Sequence, residues 1–169
     1  MKIRVIGDLH GDLKKVRKIP LKEIDLILLT GDLGKADLAR KRAFENIERK
    51  KKGLPEIKYS KKQEREIYNE IYDSSVSILR YLSKFAPVYT IEGNVLISKI
   101  KDVKKLNKKY NINLKSTKKE IDKMKEVNLI KNIVRTLGGL RIGFLEEFTD
   151  VCWIREFKPD HYMKRLKQA

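Results

Sequence analysis

Asp8 and His10, one residue apart in Asp8-Leu9-His10-Gly11-Asp12, pair a hard oxygen donor with an imidazole. In so short a turn both side chains can face one metal ion. Two later segments carry donors of the same kind, Thr30-Gly31-Asp32 and Glu92-Gly93-Asn94. A carboxylate such as Asp32 can bridge divalent ions about 3.5–4 Å apart, the spacing of two-metal sites that act on phosphoryl groups. Asn94 offers a neutral carbonyl oxygen to a second ion, which limits the charge of the site and leaves room for an anionic substrate. Each fragment alone is ordinary, since Gly-Asp after a strand is common turn chemistry. The signal lies in having all of them in order, each behind an apolar run.

Those runs are the elements that must position the donors. Ile3-Arg4-Val5-Ile6 precedes the first turn, residues 24 to 29 precede Gly31-Asp32, and residues 88 to 91 precede Gly93-Asn94. The donors converge if the three strands lie parallel with their carboxyl ends together, where open α/β sheets bind ligands. The second run is almost continuously apolar, as expected of a central strand covered on both faces. Asp12 reads as a cap for a short helix carrying Leu13, Val16 and Ile19, which Pro20 stops.

Between the second and third strands the pattern turns helical. Residues 36 to 52 place Ala36, Ala39, Ala43, Phe44 and Ile47 on one face, and Lys50-Lys51-Lys52-Gly53-Leu54-Pro55 supplies the stop. A longer helix over about 61 to 85 carries Ile67, Ile71, Ser74, Ile78, Leu82 and Phe85. Together they predict a basic helical hairpin, over about 36–85, that covers one face of the sheet. Residues 101 to 115 read as loop with at most a helical turn, and a short helix near 118 to 127 follows from the capping-box spacing of Thr117 and Glu120. Residues 133 to 145, alternating around Gly138-Gly139, predict a β-hairpin. A further strand over 151 to 157 and a short basic helix after Pro159 complete the expected layout of a single domain spanning 1–169.

Asp8-X-His10, Gly31-Asp32 and Gly93-Asn94, each behind a strand, resemble the first three motifs of the calcineurin-like metallophosphoesterase family. The hairpin Leu137-Gly138-Gly139-Leu140-Arg141-Ile142-Gly143 is similar to the same family, most closely to archaeal predicted phosphoesterases. The resemblance implies an α/β sandwich of sheets flanked by helices and hydrolysis of phosphomonoesters or phosphodiesters by a metal-bound hydroxide. It implies one or two divalent ions (manganese, iron, zinc or nickel), with Asp8 and His10 on the first, Asp32 bridging and Asn94 on the second. Asp32 and Asn94 are then the catalytic residues. Val95 stands where many members have a histidine, and the later Gly-His-X-His motif has no counterpart in residues 1–169. The expectation is therefore a sandwich incomplete on its C-terminal side. His161 matches neither histidine motif and reads as a surface residue, and Glu146-Glu147 as an exposed turn.

Composition bounds the partners. The formal charge of +17, from 40 basic and 23 acidic side chains, attracts phosphate-bearing ligands. Nucleic acid is a candidate partner through this basic surface, although no stretch alternates cations with aromatics as a stacking platform would. A lone cysteine, Cys152, forms no internal disulfide. With no signal sequence and no apolar run of membrane-spanning length, the expectation is a cytoplasmic protein that does not enter a membrane. An incomplete sandwich leaves a sheet edge open, which favours a homo-oligomer or a partner chain over that edge. Two rivals to the enzyme follow: a catalytically degenerate module that binds a polyanion or protein, and a half-site completed by another chain.

Overall fold

The computed structural model describes residues 1–93 and 100–145, with side chains described from Val103 onward in the second stretch. Strands β1 (Ile3–Ile6), β2 (Leu26–Leu29), β3 (Val88–Thr90) and β4 (Val127–Leu129) form a parallel sheet in that order. Its register keeps the carboxyl ends level: Ile6 lies opposite Leu29, Leu29 opposite Thr90, and Thr90 opposite Leu129. The turns after β1, β2 and β3 therefore leave from one rim.

Alternation along the strands decides where the core sits. Ile6, Ile27, Leu29, Val88 and Val127 point to one face and are buried. Helices α1 (Leu13–Val16) and α3 (Lys61–Leu82) cover that face with Val16, Ile78, Leu79 and Leu82. The opposite face carries Val5, Leu28 and Tyr89, and it is only half covered, with Val5 61% exposed. Along β2 that face holds Leu26, which is buried, and Leu28, which is half-buried, so the strand is covered on both sides at its start and less so toward its carboxyl end.

What lies over the open face is the hairpin β5 (Ile133–Leu137) and β6 (Leu140–Phe144), paired antiparallel around Gly138-Gly139. Both turn glycines have positive φ, 54° and 84°, as a two-residue hairpin turn requires. Phe144 is buried and stacks on Tyr89 with ring centroids 6.0 Å apart. At the other end Met1 fills the space beside Gly138. The hairpin therefore spans the sheet from β3 to the start of β1.

Helix α2 (Asp37–Lys51) runs close to its expected bounds but turns the other way round. None of its residues is buried, and Phe44 and Ile47 face solvent. Its polar side makes the contacts instead. Arg42 bonds Glu64 at 2.7 Å and lies over the Tyr59 ring, Glu45 accepts from Tyr59 at 2.9 Å, and Asn46 accepts from Ile57 N–H at 3.0 Å. Only α3 of the expected helical hairpin covers the sheet. The sheet face on that side is already covered by Val16, Ile78, Leu79 and Leu82 of α1 and α3. The stop signal at the end of α2 works as anticipated: the Gly53 and Leu54 N–H groups cap the Lys50 and Arg49 carbonyls at 3.0 and 2.9 Å.

Residues 101 to 115, expected as loop, fold mostly as α4 (Ile100–Tyr110). Val103, Leu106 and Tyr110 recur at helical spacing and pack with Ile112 and Leu114 against Tyr68, Tyr72 and Val76 of α3. Helix α3 thus buries two faces, a second core cluster that lysine-rich composition had hidden. Helix α5 (Thr117–Ile121) begins at Ser116, whose side chain accepts from Lys119 N–H at 3.3 Å. It ends before Val127, which belongs to β4, a strand too short to show a period. Glu146-Glu147, Cys152, the segment 151–157, the helix after Pro159 and His161 lie outside the described residues.

Candidate metal centre

At the rim of the sheet, the ligand atoms of Asp8, His10 and Asp32 all lie within 4.8 Å of one another. Asp8 and His10 are exposed and Asp32 is half-buried, so the cluster opens to solvent. Backbone hydrogen bonds hold the first two turns together. His10 N–H donates to the Asp32 carbonyl at 3.0 Å, and Gly11 N–H to the Leu33 carbonyl at 2.8 Å. The donors thus sit on two turns bonded to each other, each anchored by a strand.

The same three residues have left-handed backbones: φ is 50° at Asp8, 41° at His10 and 49° at Asp32. Non-glycine residues adopt this region sparingly, Asp, Asn and His more readily than most. Such conformations persist where the surroundings over-determine them, and they cluster at functional sites. Here all three donors fall within a few residues of their strand ends.

The third turn closes on the second. A Cβ placed on Gly31 would come 2.8 Å from the Gly93 Cα, and one on Gly93 would come 2.5 Å from Asp32 Oδ1. Both positions have positive φ, 95° and 68°. Glycine is thus required twice over, by conformation and by the approach of two backbones. Asn94, the fourth expected donor, lies outside the described residues. Asp12 stands apart as the cap of α1, accepting from Lys15 N–H at 3.0 Å, and that bond holds its carboxyl below the usual carboxylate range.

Two hard carboxylates and an imidazole within this distance suit a divalent ion with water completing its shell. Sequence reasoning passed over Glu92, which the fold buries next to Gly93 and pairs with Lys131 beyond β4. No local pattern could have announced it, because the partners are joined only by the pairing of β3 with β4.

With this geometry, the profile of the calcineurin-like phosphoesterase family matches residues 1–168. The chain belongs to that family. Comparisons with curated proteins and with solved structures returned no match.

Proposed function

We propose that this chain hydrolyses phosphate esters, phosphomonoesters or phosphodiesters, with one or two divalent ions held by Asp8, His10 and Asp32 and by Asn94. The observation that carries the reading is the convergence of three metal donors from two strand-end turns in a chain of this family. A bound divalent ion supplies a nucleophile at neutral pH by lowering the pKa of its water, and neutralises charge on the phosphoryl oxygens. The protein's part is to fix the donors. Asp8 and His10 present oxygen and nitrogen from one turn, while Asp32 comes from the neighbouring turn, where it can serve two ions. The excess of lysine and arginine draws anionic esters toward the open rim.

Hydrolysis of p-nitrophenyl phosphate and of its bis-ester, measured with manganese and after chelation, tests the proposal. Turnover that needs the metal and disappears in Asp32→Asn is the expected outcome. Manganese bound at the cluster without turnover of either ester would instead mark a binding module built on the same fold.

A further inference from the structure

Glu92 is an unusual residue at the rim of the sheet. Its side chain is only 9% exposed, and its carboxylate pairs with Lys131 Nζ. Glu92 immediately precedes Gly93, the residue whose backbone rests on Asp32. Lys131 stands two residues beyond β4, next to Ile130, whose N–H donates to the Thr90 carbonyl at 2.9 Å. The ion pair therefore ties the segment after β4 to the turn after β3, and that turn lies against Asp32 with no room for a side chain at Gly93.

We infer that the Lys131–Glu92 pair is a positioning element for the metal centre, fixing the Gly93 turn and through it the orientation of Asp32. The inference rests on the metal-site reading above. Its physical basis is the cost of a buried carboxylate. Losing Lys131 removes one cation from that carboxylate and weakens its hold inside the fold, and Gly93 is its immediate neighbour in the chain. A shift of Gly93 then changes the space beside Asp32, where a Cβ on that glycine would fall 2.5 Å from Oδ1. A residue of this kind sets the affinity and geometry of the metal without touching it, as groups that orient ligands commonly do. Glu92 itself stands outside the donor cluster.

Lys131→Met, Lys131→Arg and Glu92→Gln, compared with the unaltered chain, separate positioning from simple stability. Manganese affinity is read by electron paramagnetic resonance, and the metal-free melting midpoint is read alongside. Lys131→Met and Glu92→Gln are expected to weaken manganese binding roughly 10–100-fold and to alter the bound-ion spectrum. Lys131→Arg keeps a cation at the position and is expected to bind as the unaltered chain does. Removing either partner of the pair is expected to lower the metal-free midpoint as well, so manganese affinity is read at a temperature well below every midpoint, where each variant is folded. Unchanged affinity in Lys131→Met overturns the inference, as does a loss equal in Lys131→Arg. So does a loss that appears only near a variant's metal-free midpoint and vanishes well below it. An unaltered chain that takes up no manganese removes the metal-site reading itself, and this inference with it.

Discussion

Gly93 touches Asp32 so closely that any side chain at position 93 would displace the carboxylate, with a Cβ falling 2.3 Å from Asp32 N and 2.5 Å from Oδ1. Gly93→Ala is therefore expected to weaken manganese binding and lower the melting temperature together. Gly139→Ala provides the contrast. Its φ of 84° is equally left-handed, but nothing lies within 4 Å of the added methyl. That variant should carry only the conformational cost, about 1–2 kcal/mol, and leave metal affinity unchanged. Calorimetry of both variants with and without manganese checks the pair, and equal affinity losses would contradict the geometry.

Phe144 anchors the β5–β6 hairpin on the open face of the sheet through Tyr89. Phe144→Ala is expected to cost about 3–5 kcal/mol, as buried phenylalanine truncations do. The loss should be uneven. Hydrogen exchange should accelerate most across 133–144, while the amides of α3, on the far side of the sheet, stay more protected. Uniform acceleration would show that the hairpin and the main core open as one unit.

The orientation of α2 is tested by a swap of expectations. Phe44 is 56% exposed, so Phe44→Ser should change stability by no more than about 0.5 kcal/mol. Arg42→Ala should cost more, about 1–3 kcal/mol, because it removes a charged hydrogen bond and leaves Glu64 10% exposed without that partner. Denaturant titration of the two variants ranks them, and the reverse order would restore the apolar-face-inward packing.

Glu120 predicts a pH effect. Hydrogen bonds from Arg80 first, and then from Lys123 at 3.2 Å, hold its carboxyl below the ordinary value of 4.5. A depressed carboxylate contributes stability that is present above that ordinary value and is lost as pH falls through the lower folded one. The pair lies near solvent, so the contribution should stay below about 1 kcal/mol. Melting curves from neutral to strongly acid pH should show Glu120→Gln losing less stability than the unaltered chain. Identical curves would mean that solvent cancels the interaction.

Much of the fold could be read from residues whose meaning is local. The apolar runs before Gly7, Gly31 and Gly93 gave strands, Gly138-Gly139 gave a hairpin, and Lys50-Lys51-Lys52-Gly53 gave a helix stop, because turns and caps are decided within a few residues. The direction α2 faces could not be read this way. Phe44 and Ile47 look like a core stripe, but the sheet face beside them is already covered by α1 and α3. Helix α4 was missed for the opposite reason. Its lysines mask an apolar side that acquires meaning only against Tyr68 and Tyr72.

By itself the sequence determined which candidate donors stand in which turns, since donor type and chain order are written into Asp8-X-His10 and Gly31-Asp32. Only the tertiary structure decided that Asp8, His10 and Asp32 come within 4.8 Å of one another. It also decided that Gly93 closes on Asp32 and that Lys131 reaches Glu92. The reason is register. Residues far apart in the chain become neighbours only when parallel strands end level, and that alignment is set by the packing of the sheet as a whole.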